Sequence, residues 1–238
     1  MIQFYSSDIA ISKSLPPDES AHAVRVLRMK EGDSIEVVDG KGTRYSCIIT
    51  HASSSCVTVD ILNKETQENP WRGKIVLAVA PTKNSDRMEW LVEKCVEMGI
   101  DEIVLIECSR SERRKMKTER LERIMISAMK QSLKTMLPQL RGPIAFADFI
   151  GESHEGEKYL AWCGDGVEKK SMFCEYTPEA DVTILIGPEG DFTSEEVKKA
   201  IEEGFRPISL GESRLRTETA AMFAVAGVHT INQKINDR

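Results

Sequence analysis

The chain is 238 residues long, carries a formal net charge of -6, and is 41% hydrophobic and 29% charged. That length allows two domains and a substantial core, and the composition is that of a soluble globular protein. No apolar run nears the ~20 residues of a membrane-spanning helix, and the start lacks the basic-then-apolar order of a secretory signal, so the expected compartment is the cytoplasm.

The six cysteines, Cys47, Cys56, Cys95, Cys108, Cys163 and Cys174, form no CxxC pair and no Cys/His cluster at zinc spacing. No metal is expected, and most of them should sit in apolar surroundings as small core residues. The acidic balance argues mildly against nucleic acid, which needs a positive surface. Charge is clustered, however. From Arg110 to Lys134 nine basic residues face only Glu112, Glu119 and Glu122. Such a cluster reads equally as a solvated helix face or as a phosphate-binding surface.

In chain order, Ser20 to Met29 reads as a short helix. Ser34–Asp39, Arg44–Thr50 and Cys56–Leu62 read as β-branched strands, with Gly40 and Gly42 turning between the first two. Ile35, Val37, Val57, Val59 and Ile61 share an apolar side, which suggests a small barrel. The polar stretch Asn63–Gly73, with Pro70, reads as a linker. Beyond it the period changes. Lys74–Ala80 reads as a buried strand, and Asp86–Met98 as a helix opened by an Asp86/Glu89 capping box and closed by Gly99. Ile103–Glu107 is a strand and Thr118–Lys134 a helix. Strands recur at Lys158–Trp162, Val182–Ile186 and Pro207–Leu210. A Thr193/Glu196 capping box opens a helix closed by Gly204, and a last helix runs from Glu218 to about Ile231. Alternating strands and helices predict an α/β fold with a parallel sheet covered on both faces. Ligands of such sheets bind beyond the carboxyl ends of the strands, here the turns after Ile186 and Leu210.

The first of these turns is Gly187-Pro188-Glu189-Gly190-Asp191-Phe192. Its glycines permit positive φ and close backbone approach, and Glu189 offers a carboxylate to a ribose or an amine. An ordinary βα turn would also read this way. The second, Gly211 to Ala220 (GESRLRTETA), leads into a helix capped by Thr217 or Thr219. Capping explains the threonines but not Arg214 and Arg216 beside them. Neither turn is a P-loop or a GxGxxG cradle, and His22, His51, His154 and His229 sit near no nucleophile motif.

Together, strand-GPEGDF-T-x-x-E, a strand ending Ser209-Leu210-Gly211, and LRTETA resemble the SPOUT superfamily of RNA methyltransferases. Within it the chain is similar to the ribosomal RNA small subunit methyltransferase E family, which methylates N3 of a uridine in 16S rRNA. His22–Asp33 resembles that family's N-terminal PUA-like RNA-binding barrel, and Lys83, Arg87, Lys94, Glu97 and Gly99 match its pattern after the first strand. Gln131-Ser132 with Pro138 matches another stretch. The chain departs from the pattern at Asp191, where a second glycine is usual, at Arg214-Leu215, where an Ile-Leu pair is usual, and at Lys134, where an arginine is usual.

The resemblance implies a PUA-like β-barrel over residues 1–70 and a SPOUT α/β-knot, a parallel sheet with a trefoil knot, over 71–238, in a homodimer. It also implies S-adenosyl-L-methionine as cofactor. That cofactor would be held by Leu185, Ile186, Gly187, Pro188, Glu189 and Gly190 from one turn, and by Leu210, Gly211, Leu215, Arg216, Thr217 and Ala220 from the other. Arg216 is the expected catalytic cation and Glu218 the weaker candidate for base or orienter; a plainer alternative pairs the two to pin the loop. Arg25, Arg28, Lys30, Lys83, Arg87, Arg110, Arg113, Arg114 and Lys134 would meet RNA of the small ribosomal subunit, and neither a metal nor a membrane is expected. The small residues Ala220, Ala221, Ala224, Ala226 and Gly227 would suit a subunit interface. Ribose 2′-O-methylation by another SPOUT enzyme, or a non-catalytic RNA-binding assembly factor, are the alternatives.

Overall fold

A computed structural model describes residues 2–112 and 116–236, the side chains of 234–236 excepted. The chain forms two compact units, Met1–Pro70 with Ile126–Leu137, and Trp71–Met125 with Pro138–Arg238. No helix among the described residues is long and apolar enough to cross a membrane.

The first unit is a four-stranded sheet in the order β1-β2-β3-β4, with β1 Gln3–Tyr5, β2 Ser34–Val38, β3 Thr43–Ser53 and β4 Cys56–Thr66. β1 runs parallel to β2, and β2, β3 and β4 are antiparallel. The alternation fixes the inward face: Phe4, Ile35, Val37, Ile49, Val57 and Val59 are buried together, with Ile61 partly buried against them. β4 runs further than expected. Asn63 to Thr66 pair with Ser46 to Thr43, so the head of the supposed linker is strand, because β3 offers a partner edge that composition alone does not reveal. The short helices α1 Ile9–Ser12 and α2 Pro17–Ala21 precede a π-helical turn at His22–Val26. The predicted helix therefore ends early, and Arg28 just beyond it takes a left-handed conformation, φ 56°. Residues 126–137 belong to this unit through Lys134 O, which accepts from Gln3 Nε2 at 2.7 Å, and through the Lys130–Glu19 ion pair.

The second unit is a seven-stranded sheet, every pairing parallel, in the order β7-β6-β5-β10-β8-β11-β9. The strands are β5 Ile75–Val79, β6 Glu102–Glu107, β7 Gln139–Ala145, β8 Glu157–Ala161, β9 Lys170–Ser171, β10 Val182–Ile186 and β11 Arg206–Ser209. β5 and β10 are buried along their whole length, as expected of central strands covered on both faces. The helices of this unit are α3 Ser85–Met98, α5 Phe146–Ile150, α6 Met172–Glu175, α7 Ser194–Glu202 and α8 Thr217–Asn236, with the first part of α4 Thr118–Gln131, whose residues from Ile126 onward belong to the first unit. α3 does not open on an Asp86/Glu89 box. Asn84 is the cap, its side chain accepting from Asp86 N at 2.8 Å, and Glu89 turns instead to Arg120. The Thr193/Glu196 box of α7 is present in both directions. Only Cys47, Cys95 and Cys108 are buried; Cys56, Cys163 and Cys174 are exposed, fewer in the core than their apolar neighbours suggest.

The small face of α8 is used within the chain. Ala221 and Ala224 are fully buried, and a Cβ on Gly227 would stand 2.3 Å from the Phe173 ring. The glycine is there so that α6 can approach α8, and it carries no argument for a subunit contact.

Candidate active site

β10 is a run of five buried residues, VTILI, that delivers the chain to Gly187 at the carboxyl edge of the sheet. A tight turn follows, closed by Asp191 N donating to Pro188 O at 2.9 Å, before Thr193 caps α7. The glycines of this turn are needed for space rather than for φ. A Cβ on Gly187 would lie 3.2 Å from the Phe192 ring, and one on Gly190 would lie 3.2 Å from Arg110 Cβ. The left-handed residue is Asp191, at φ 61°. Aspartate tolerates that region better than most residues, since its short side chain bonds locally; here Oδ1 accepts from Phe192 N at 2.8 Å. The departure from glycine at 191 thus keeps the turn. Gly211 in the other loop has φ 120° and open space around it.

The β10 turn is the point where the neighbouring loops are tied together. Thr217 Oγ1, buried at the start of α8, donates to Gly187 O at 3.1 Å. Lys83 N, after β5, donates to Glu189 Oε1 at 2.9 Å. Arg110 Nη1, after β6, donates to Gly190 O at 2.8 Å and to Phe192 O at 3.4 Å. Cys163 N, after β8, donates to Asp191 Oδ2 at 3.0 Å. Four loops therefore hang on six consecutive residues. The two predicted turns meet at Thr217 and Gly187.

The predicted site residues divide accordingly. Leu185, Ile186, Gly187, Pro188 and Thr217 are buried at the junction, while Glu189, Gly190, Gly211 and Arg216 are exposed and Leu210, Leu215 and Ala220 lie between. Glu189 already holds a backbone N–H. Arg216 enters no ion pair among the described residues, so the alternative that it pairs with Glu218 does not hold. Glu218 is instead buried with Oε1 3.5 Å from Arg87 Nε, and its Oε2 has no hydrogen-bond partner among the described residues. Arg87 is thus turned toward Glu218, and Lys83 Nζ toward Glu112 at 2.8 Å; that carboxylate, as hydrogen-bond partner and as charge, raises the lysine's pKa. Arg110 is committed to the β10 turn. Arg25 donates to Ser54 Oγ at 3.3 Å, and Arg28 and Lys30 line an open hollow with Val24, Met29 and Ala52 in the first unit. Arg113 and Arg114 lie outside the described residues.

The loop after β8 was missed. β8 lies between β10 and β11, so the rule that selected the loops of its neighbours selects its loop too. Cys163 stands where these loops converge. Burial raises its thiol pKa, the Asp191 carboxylate adds to the rise, and the charges of Lys169 and Arg214 oppose it.

Comparison with known proteins agrees with this architecture. The profile of the RNA methyltransferase domain matches residues 67–229, and that of the RNA methyltransferase PUA domain matches residues 15–62. Ribosomal RNA small subunit methyltransferase E of Synechocystis is 30% identical over 87% of this chain and 69% of its own length. A structure from Porphyromonas gingivalis, described as a probable rRNA-methyltransferase, is 45% identical with a TM-score of 0.94, covering 99% of this chain and 100% of that one. Ribosomal RNA small subunit methyltransferase E of Neisseria gonorrhoeae, solved bound to S-adenosyl methionine, is 27% identical with a TM-score of 0.84, covering 97% and 98%. With both domain profiles matched in order and a two-loop junction at the carboxyl edge of the sheet, the chain belongs to the ribosomal RNA small subunit methyltransferase E family of RNA methyltransferases.

Proposed function

We propose that this chain methylates N3 of a specific uridine in 16S rRNA with S-adenosyl-L-methionine as methyl donor. The observation that carries the reading is the junction itself, where Thr217 Oγ1 bonds Gly187 O and ties the two loops together. The residues suit a cationic nucleoside. Glycine-bearing backbone surrounds the junction, and a buried carboxylate oxygen, Glu218 Oε2, lies beside it without a partner among the described residues. Leu185 to Gly190 from one side, and Leu210, Gly211, Leu215 to Thr217 and Ala220 from the other, would hold the cofactor, whose sulfonium supplies an activated methyl group.

The protein's share of the work is orientation and charge. Aligning an acceptor for in-line displacement is worth roughly 7 to 11 kcal/mol. Uridine N3 carries a proton and becomes nucleophilic only as that proton leaves, with charge spreading onto the flanking carbonyls. Arg216, exposed and without an ionic partner among the described residues, supplies donors for that charge. Glu218, held against Arg87, orients this end of α8 and is the candidate proton acceptor.

Residues 1–70 form the RNA-binding PUA-like domain in this proposal, and 71–238 the methyltransferase domain. Arg25, Arg28 and Lys30 in the first, with Lys83, Arg113, Arg114 and Lys134 in the basic segments, meet phosphates of small-subunit RNA in the cytoplasm; Arg110 serves the β10 turn first, and Arg87 serves Glu218. The proposal includes the trefoil knot that likeness to the SPOUT enzymes implies. It also includes a homodimer. Phe173 and Phe223, exposed and in edge contact at 5.3 Å, leave apolar surface beside α8 that a second copy would cover. The test is mass mapping of 16S rRNA from cells with and without the gene. Loss of one 3-methyluridine on deletion is expected; an identical methylation map in both strains would overturn the substrate assignment.

A further inference from the structure

We propose that Asp191 is a positioning residue of the cofactor pocket, fixing the loop after β8 against the turn after β10 so that the two form one wall. This rests on the reading of that pocket as an S-adenosylmethionine site. A left-handed backbone is unfavourable for any residue with a Cβ, so a φ of 61° at Asp191 needs a compensating contact. The side chain makes two. Oδ1 accepts from Phe192 N at 2.8 Å and Oδ2 from Cys163 N at 3.0 Å, which engages both carboxylate oxygens with backbone of two different loops.

What Asp191 holds is a compact body. Lys169 Nζ donates to Gly164 O at 2.6 Å and lies 5.5 Å above the Trp162 ring. The Trp162 ring also passes 2.3 Å from where a Gly164 Cβ would be, so the loop from 162 to 169 closes on itself. It emerges from β8, between the strands that feed the two cofactor loops, and Cys163 feels the charges of both Asp191 and Arg214. A body so placed is a wall of the pocket, and the carboxylate sets its position relative to Gly187–Gly190.

Substitution separates the backbone from the carboxylate. Asp191→Gly suits the left-handed conformation but releases Cys163 N; Asp191→Asn keeps one acceptor oxygen. In calorimetry on the full chain, S-adenosylmethionine and S-adenosylhomocysteine are compared, the second lacking the sulfonium charge. Asp191→Gly is expected to raise Kd for both about tenfold (~1.4 kcal/mol) and Asp191→Asn about threefold, with melting within a few degrees of wild type. Peptide-mapped alkylation of Cys163 should be faster in the glycine variant, whose loop is free. Unchanged affinity in Asp191→Gly would overturn the proposal, as would a loss confined to the sulfonium ligand, which would make Asp191 a direct charge contact. If the wild-type chain bound neither ligand, the cofactor reading would fall first and this inference with it.

Discussion

The two ends of the parallel sheet use charge in opposite ways. At the amino end, charged side chains saturate one another. Glu102, nearly buried, takes Lys74 Nζ at 2.9 Å and Arg141 Nη1 at 3.0 Å, and Arg141 also bonds Glu152 at 2.7 Å. Across the sheet, Arg206 meets Glu157 at 3.0 Å and donates to the Tyr159 hydroxyl at 2.8 Å. At the carboxyl end the polar side chains bond mostly to backbone. Thr217, Glu189, Arg110 and Asp191 each hold a main-chain group of another loop, and Arg216 is left exposed. A cavity of about 420 Å³ lies at the amino end, lined by Lys74, Glu102, Arg141, Glu152, His154 and Asp181. It is not where the chemistry points, because Lys74, Glu102, Arg141 and Glu152 in its wall already pair with one another. Reactive capacity follows unspent donors rather than hollow volume.

The sharpest break in this contrast is Arg216→Ala. Removing one donor to developing charge costs about 3 kcal/mol, so methyl transfer should fall at least a hundredfold in single-turnover assays, while melting stays unchanged. A rate within threefold of wild type would return Arg216 to the solvent face. Glu102→Gln should do the reverse, lowering stability by about 2 kcal/mol in denaturant titration and leaving the rate alone. The loss is modest because Lys74 and Arg141 are both more than a third exposed and screened by water. The acid side sharpens it. Burial pushes the Glu102 carboxyl upward, but hydrogen bonds and charge from Lys74 and Arg141 outweigh it, and the net shift is downward. A lowered folded pKa stabilises above the ordinary carboxylate value and is lost as pH falls through the folded one. Wild-type melting should therefore drop more steeply than that of the glutamine variant below about pH 4.5. The smallest effect is expected of Thr217→Val, which deletes the hydroxyl under Gly187 O. About 1 kcal/mol, or roughly fivefold in cofactor Kd, should be lost with little change in the rate at saturation. A larger change in rate than in Kd would mean the hydroxyl reaches the reacting atoms.

The sequence revealed the carboxyl end better than the amino end, and for physical reasons. VTILI followed by a glycine turn and a two-way capping box is a local signal, complete within some fifteen residues, and β10 with α7 appeared as expected. β7, Gln139–Ala145, was unread because Gly142 and Pro143 punctuate it. It survives as an edge strand, where a proline need not donate, and a Cβ at 142 would stand 2.4 Å from Leu105 O. β1, three residues long, has no periodicity to detect. The Asn84 cap displaced the expected box because its side chain, two residues earlier, accepts from Asp86 N and so draws Asp86 into the first turn of the helix. Which partner Glu218 would choose, Arg216 or Arg87, depends on how α3 packs against α8, and spacing along the chain does not encode that.

The contacts that close the pocket join residues 28, 30, 80 and 106 positions apart. Closing such intervals forfeits chain entropy that the bonds must repay, as does the β5–β10 pairing, which brings Ile75 to Val182. A growing polypeptide still threaded through a ribosome lacks α8, and with it Thr217, so it has no pocket to offer a methyl donor. An enzyme of this design comes alive only once its own synthesis has let go of that helix.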